Sequence, residues 1–99
     1  MILYEVTATA EAQVRSTFGT FMRETHVADV LATGCFVRAF FAENADGIYR
    51  TTYVANSQEE LDRYLAQHAQ RMRADVAERF PSGVTYGREV WRVLQEWRG

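Results

Sequence analysis

The spacing of apolar residues, which changes several times along this 99-residue chain, constrains its fold more than any other feature. Residues Ile2–Thr9 are short, β-branched and aromatic, which is typical of a strand. From Ala10 the apolar residues take helical spacing, and Gly34 follows them at a position where glycine commonly ends a helix. We therefore expect a strand and then one long helix, broken near Thr25–His26. Its apolar stripe consists of Val14, Phe18, Phe21 and Met22.

The next two segments predict a β-hairpin. Cys35–Glu43 and Ile48–Ala55 are rich in aromatic and β-branched residues, as strands are. They are joined by Asn44–Gly47, and the Asp-Gly pair in that connection is a good hairpin signal.

A capping box opens the second helix. Ser57 and Glu60 are spaced so that each side chain can satisfy the other's exposed backbone amide. Leu65 is central in the apolar stripe that follows, so we expect it in the core and expect Leu65→Ala to cost about 2–5 kcal/mol. The stripe comprises Leu61, Tyr64, Leu65, His68, Met72, Val76 and Phe80.

The last strand completes the order of elements. Residues Pro81–Gly83 end the second helix, and Val84 to about Trp91 form the final predicted strand. The order is β-α-β-β-α-β, whose natural packing is two helices on one face of a four-stranded antiparallel sheet. The sequence thus predicts the α+β class, with residues 1–99 as a single domain.

The predicted strands carry apolar or aromatic residues on both faces. In the second strand Phe36 and Phe40 point one way, and Cys35 and Val37 point the other. A sheet covered on one side only should alternate more cleanly, and two helices can cover only one face. We therefore expect a homodimer that buries more than about 1,200 Å² in total, with one of these two pairs in the interface.

The composition excludes several classes of function. The net charge is −2 and both signs are interspersed, so the chain lacks the basic stripe of a nucleic-acid-binding protein. No apolar run reaches the ~20 residues of a membrane span, so no membrane partner is expected. The single Cys35 fits a reducing compartment, and we expect a cytoplasmic location. The chain has no lysine, which excludes Schiff-base chemistry on a lysine.

Three stretches carry a resemblance to a known family. They are MILYEV at the start, HVADVLATGCF at residues 26–36, and YLAQHA at residues 64–69 with Arg71, Arg73 and Arg79 after it. Through them the chain resembles, nearly end to end, a bacterial family known as domain of unknown function 4286. More loosely, the element order resembles the dimeric α+β barrel superfamily.

That looser resemblance implies ferredoxin-like subunits whose sheets pack face to face, each with a small pocket between its sheet and helices. The superfamily includes cofactor-free monooxygenases, haem-degrading enzymes, polyketide cyclases and ligand-sensing modules. The resemblance therefore implies an architecture and not a chemistry.

Two histidines are the candidate catalytic residues. His68 lies in the apolar stripe of the second helix, which faces the pocket in the implied fold, and an imidazole there could act as acid or base near neutral pH. The alternative is a core histidine with hydrogen-bonded ring nitrogens. His26 lies near the predicted helix break, either at the mouth of the pocket or bound to carbonyls at a helix end.

Tyr4, Arg50 and Tyr64 are the candidate ligand-binding residues, because they place polar groups on central strands and on the apolar helix face. Glu5 could instead pair with Arg50 inside the protein, which is the structural alternative for that residue.

No metal and no cofactor are expected. His26 and Asp29 supply two ligands at most, whereas a metal site normally needs three or four protein groups. Cys35 has no neighbouring feature of an activated thiolate, so we expect it to be a small buried residue.

Two functions from different classes remain open. In the first, the pocket binds a small, mostly apolar molecule, and an enzyme of this kind would use His68 or His26 as acid/base with Tyr4 and Arg50 orienting the ligand. In the second, the protein is a non-catalytic interaction module whose pocket is filled by its own side chains. Those side chains would be Phe18, Phe21, Met22, Tyr64 and Met72. A cavity of ~300 Å³ or more distinguishes the first function from the second.

Overall fold

The computed structural model describes residues 1–99 and has the order of elements that the hydrophobic periods predict. The elements are β1 (Ile2–Ala10), α1 (Ala12–Phe21), a π-helical turn (Met22–His26), α2 (Val27–Leu31), β2 (Arg38–Glu43), β3 (Ile48–Ala55), α3 (Gln58–Gln67), α4 (Ala69–Arg79) and β4 (Val84–Arg92). The four strands form one antiparallel sheet in the order β2-β3-β1-β4. The predicted α+β class and the ferredoxin-like β-α-β-β-α-β topology are therefore confirmed.

The register of the strands assigns each residue to one of two faces. Tyr4 of β1 is directly opposite Tyr53 of β3 and Val90 of β4, and direct partners share a face. We call this face, with Ile2, Tyr4, Val6, Ala8 and Ala10 of β1 and their partners, the helix face. Leu3, Glu5, Thr7 and Thr9 of β1 and their partners form the open face.

The π-helical turn keeps one stripe of residues pointing inward along the first helical segment. Phe18, Met22, His26 and Val30 are spaced four apart, and all four are buried. In an α-helix four residues overshoot one turn by about 40°, so this spacing would carry the stripe around the helix. The wider π turn offsets that drift. The break predicted near Thr25–His26 is this turn.

The sequence predicts that the second strand begins at Cys35. In the structure it begins three residues later, at Arg38. The Thr33 hydroxyl donates to the carbonyl of Val30 at 2.7 Å and accepts from the amide of Cys35 at 3.4 Å. These bonds hold the chain in a turn after α2, so the strand starts only when the turn is complete.

This turn changes which residues can lie on the exposed sheet. Cys35 and Phe36 are both buried in the core, because residues ahead of the strand do not alternate between its faces. Val37 and Phe40 are exposed. The expectation that Phe36 shares an interface with Phe40, or Cys35 with Val37, is therefore wrong.

The connection between β2 and β3 is the predicted hairpin. The side-chain oxygen of Asn44 accepts hydrogen bonds from the amides of Asp46 at 2.9 Å and Ile48 at 3.0 Å. Gly47 has φ of 75°, a conformation that favours glycine.

The second helical segment is two helices and not one, which corrects the predicted continuous helix. His68 lies between α3 and α4 with φ of −128° and ψ of −32°, outside the helical range. The amide of His68 donates to the carbonyl of Tyr64 at 2.9 Å, and its carbonyl accepts from the amide of Met72 at 3.1 Å, so one helix ends and the next begins at this residue. The periodic pattern did not reveal the break because apolar residues remain buried on both sides of it, as Tyr64 and Met72 are.

The prediction for Leu65 is also wrong, since its side chain is 40% exposed. Leu61 and Tyr64 are the buried residues of α3, and Leu65 lies about 70° from their midline at 100° per residue. The apolar stripe is therefore narrower here than the sequence predicts.

Only one of the two hydrogen bonds of the predicted capping box of α3 is present. The hydroxyl of Ser57 accepts from the amide of Glu60 at 3.3 Å. The Glu60 carboxylate pairs with Arg63 at 2.6 Å rather than returning to the amide of Ser57.

The core between the helices and the sheet is divided into two clusters. One cluster contains Ile2 and Tyr4 near the start of β1, and the other contains Ala8 and Ala10 near its end. The open face has no helix above it, and it exposes Phe40 by 56% and Trp91 by 51%. No helix has the length and apolar character needed to cross a membrane.

Candidate active site between two core clusters

A cavity of about 320 Å³ lies where the two core clusters fail to meet. Val6 of β1 and Thr51 of β3 are direct partners on the helix face, and both line the cavity from the sheet side. The first cluster contributes Tyr4, Tyr53, Tyr64 and Met72 to the wall, and the second contributes Ala8, Phe18, Met22 and Val76. The wall is therefore mostly apolar, with a few polar groups among the apolar ones.

Three tyrosines group in one part of this wall. The ring centre of Tyr4 is 6.1 Å from that of Tyr53 and 5.9 Å from that of Tyr64. Burial raises the pKa of Tyr53 above its ordinary value. Burial also raises the pKa of Tyr64, to about 12, and nearby Arg73 and Arg88 only partly oppose that rise. Both hydroxyls therefore stay protonated at neutral pH and can donate hydrogen bonds.

Two arginines flank the opening of the cavity. Arg73 of α4 donates from Nη2 to the hydroxyl of Tyr4 at 3.0 Å. Arg88 of β4 is the register partner of Val6, and its guanidinium carbon lies 5.7 Å from the ring centre of Tyr86. Both arginines are exposed residues that also line the cavity, so they stand at its border with solvent.

His26 is the histidine of the cavity wall. Its ring stacks on Phe21 with ring centres 5.7 Å apart. Burial lowers the pKa of His26 below its ordinary value of 6.5, although the carboxylates of Asp29 and Asp75 act in the opposite direction. The imidazole is therefore neutral at pH 7 and can accept a proton.

The same histidine also lines a second, outer cleft. Asp29, Asp75 and Glu78 are among the residues of that cleft. His26 thus stands between an apolar interior and an acidic surface, which is a suitable position for exchanging a proton with solvent.

The other predicted site residues do not converge on this cavity. His68 is half-buried at the break between α3 and α4, with its ring centre 6.3 Å from that of Tyr64, and it lines none of the protein's cavities. Arg50 projects from the open face, where its Nε lies 3.9 Å from a carboxylate oxygen of Glu5. Tyr4, Tyr64 and His26 are brought together, whereas Arg50 and His68 lie elsewhere.

Cys35 is a buried residue, as expected, with its Sγ 3.9 Å from the carbonyl of Thr33. No three histidine, cysteine or acidic side chains are grouped so that they could hold a metal ion.

The sequence prediction missed Arg73, Arg88 and Tyr86 as cavity residues. Two of them could have been found, because Tyr86 and Arg88 are two residues apart on the predicted last strand and therefore point to the same face. In the structure they pair with Ala8 and Val6 of the helix face. Arg73 had no such signal, since it lies beside the apolar stripe and its direction depends on how α4 leaves the break.

The family model of a domain of unknown function, DUF4286, matches residues 1–94. The chain belongs to this family. The matched residues include all four strands, both helical segments and the whole cavity wall, so the site described above lies within the family's domain. No curated protein is a significant match.

Solved structures of other proteins share the fold of this DUF4286 domain at low identity. A dimeric ferredoxin-like protein from an uncultured marine organism is 10% identical, with a TM-score of 0.76 over 100% of both chains. SnoaB, a cofactor-independent oxygenase from Streptomyces nogalater, is 18% identical, with a TM-score of 0.69 over 96% of this chain and 94% of its own. At these identities the likeness shows a common fold alone.

Proposed function

We propose that this protein is a homodimer in which each subunit binds a small, mostly apolar molecule in the cavity between its core clusters. His26 then acts as the acid/base of a reaction that needs no cofactor. The observation that carries this proposal is the cavity itself, about 320 Å³ in volume with a neutral imidazole in its wall. A cavity of this size is at the lower end of the range for small-molecule sites.

The competing function is a non-catalytic module whose pocket is filled by its own side chains. Five residues were expected to fill it. Four of them, Phe18, Met22, Tyr64 and Met72, instead line the cavity, and Phe21 is buried in the second core cluster. Apolar side chains that leave a cavity between them forfeit packing contacts with one another, so the cavity favours a ligand over the self-filled alternative.

The chemistry supported by the site is proton transfer. A neutral His26 can take a proton from an oxygen or carbon acid bound in the cavity, and the protonated tyrosines can donate hydrogen bonds to the anion that forms. The outer cleft offers a path for returning that proton to water. The cofactor-independent oxygenase that shares this fold is an example of chemistry performed without a cofactor on such a scaffold.

The dimer is supported by the uncovered face of the sheet. Leu3, Val54 and Trp91 form one row across that face by register, and Phe40 adds a second exposed ring. The structural neighbour described as a dimeric ferredoxin-like protein supports the same assembly. A second sheet would remove the exposed rings of Phe40 and Trp91 from water.

A neutral fluorescent probe tests the binding site. We expect N-phenyl-1-naphthylamine to bind the wild-type protein with enhanced fluorescence, and Val6→Phe to weaken binding by at least about tenfold because the new ring occupies the cavity. Ala66→Phe, which adds the same ring at an exposed position of α3, is the matched control and should bind as the wild type does. Circular dichroism verifies that each variant is folded.

¹⁵N NMR of the two histidine rings tests the role of His26. Probe binding should shift the ring signals of His26 and leave those of His68 unchanged, since only His26 lines the cavity. Equal binding by Val6→Phe and the wild type, or shifts at His68 alone, would place the ligand elsewhere and refute the proposal.

A further inference from the structure

The charge of the cavity wall differs in sign from the charge of the whole protein. The chain carries a net charge of −2, yet the charged residues of the wall are Arg73 and Arg88, and the wall contains no aspartate or glutamate. Neither arginine has a carboxylate partner, because the ion pairs of the protein are Arg50–Glu5, Arg63–Glu60 and Arg98–Glu96. The ligand site is thus a positive region in an acidic protein.

The two arginines also reach the same cavity from different elements. Arg73 is bonded to the hydroxyl of Tyr4, and the ring of Tyr4 is adjacent to that of Tyr64. Arg88 lines the same cavity from β4, where it is the register partner of Val6. Both guanidinium groups also oppose the rise in the pKa of Tyr64, as nearby positive charges do. Arg73 comes from α4 and Arg88 from β4, and two separate elements therefore direct positive charge to the same place.

The tyrosines there are arranged to donate hydrogen bonds. The Tyr4 hydroxyl accepts its bond from Arg73, which leaves its own proton free for a further acceptor. Tyr64 remains protonated for the reason given above and offers a second donor. An acceptor-only group that carries negative charge is the chemical complement of two guanidinium groups and two hydroxyl donors.

We propose that the ligand is an apolar molecule with a single carboxylate, which lies between Arg73 and Arg88 beside the hydroxyls of Tyr4 and Tyr64 while the apolar body fills the cavity. This inference rests on the proposed binding function and names its ligand class. A carboxylate fits because it is planar, as a guanidinium is, and takes two parallel hydrogen bonds from it. An amine in the same position would meet two cations and no acid.

Three probes with one apolar body test the head group. They are 4-phenylbutyrate, 4-phenylbutanol and 4-phenylbutylamine, measured by calorimetry and by displacement of N-phenyl-1-naphthylamine. We expect the carboxylate to bind at least about tenfold more tightly than the alcohol and the amine to bind most weakly. The preference should decrease as salt is raised, because both arginines border on solvent.

Variants locate the preference on the two arginines. Arg73→Gln and Arg88→Gln should each reduce the ratio of carboxylate to alcohol affinity several-fold, and the double variant should bring it close to one while the alcohol still binds. Arg71→Gln, an exposed arginine on the same helix that lines no cavity, is the matched control and should keep the wild-type ratio.

The outcomes separate this inference from the function on which it rests. Equal affinities for the carboxylate and the alcohol, or an equal loss in Arg71→Gln, would overturn the carboxylate class while leaving the cavity as a binding site. Tighter binding of 4-phenylbutyl phosphate than of the carboxylate would replace the head group with a phosphate and so also overturn it. If neither the neutral fluorophore nor any phenylbutyl probe binds, the proposed function itself fails.

Discussion

The two leucines of α3 have different surroundings although they are four residues apart. Leu61 is 0% exposed and belongs to the cluster that contains Tyr4, whereas Leu65 is 40% exposed. We expect Leu61→Ala to lower the free energy of unfolding by about 2–5 kcal/mol, because it leaves a cavity among fixed neighbours. Leu65→Ala should cost less than about 1 kcal/mol, since much of its side chain already contacts water.

Urea unfolding of both variants measures this difference. A cost for Leu65→Ala equal to that of Leu61→Ala would mean that α3 is rotated relative to the orientation described here.

His26 should make the stability of the protein depend on pH in the mildly acidic range. Its pKa in the folded protein is lowered by burial, so above the ordinary value of 6.5 the ring is neutral in both the folded and the unfolded states. As the pH falls below 6.5 the unfolded chain takes up a proton first, and the free energy of unfolding decreases until the pH passes the folded pKa.

The difference in unfolding free energy between about pH 7.5 and about pH 5.5 should therefore be smaller in His26→Gln than in the wild type. If His26→Gln loses as much stability on acidification as the wild type, His26 does not titrate as a buried group.

At the scale of elements, the π-helical turn is the feature that brings His26 to the cavity. A π-helical turn contains about one residue more than an α-helical turn. Phe18 lies before this turn, Met22 and His26 lie at its two ends, and Val30 lies after it, and all four side chains are buried. Removing one residue would restore an α-helical turn and rotate one half of the segment relative to the other by about 100°. The two halves could then no longer face the sheet together.

Deletion of Glu24, an exposed residue of the π turn, tests this account. We expect a loss of more than about 2 kcal/mol in the free energy of unfolding, together with loss of probe binding in whatever folded protein remains. Glu24→Ala keeps the length of the turn and should change stability by no more than about 0.5 kcal/mol. A deletion variant with wild-type stability and binding would contradict the role given to the turn.

At the scale of the whole molecule, the open face predicts the assembly. Phe40 and Trp91 are exposed on it, on either side of the central strands. Light scattering at micromolar concentration should give twice the 11.4 kDa mass of the chain, and the interface should bury more than about 1,200 Å² in total.

Phe40→Glu and Trp91→Glu should each shift the protein to the monomer, because a charge buried within an apolar interface is desolvated without a partner. Leu65→Glu introduces the same charge on an exposed part of α3, away from the open face, and should leave the dimer intact. A wild-type monomer, or dissociation by Leu65→Glu alone, would assign the open face another role.

The order of the strands and helical segments, the hairpin at Asn44–Gly47 and the cap at Ser57 were predictable from the sequence by itself. Each depends on residues close together in the chain: a period of two or of 3.6, a turn residue, or a polar side chain beside a free amide. The presence of apolar groups on both faces of the sheet follows in the same way from alternation along each strand.

The site was decided by tertiary packing. Its cavity exists because two clusters built from distant segments stop short of each other, and no local pattern encodes that gap. His26 and His68 both lie in apolar stretches of the sequence. His26 lies in a π-helical turn and lines the cavity, whereas His68 lies at the break between α3 and α4 and does not. Arg73 and Arg88 are fifteen residues apart in the chain and line one cavity only because α4 and β4 are brought together in the folded protein. A side chain's direction depends on the whole path of the backbone before it, which the sequence determines only through the folded structure.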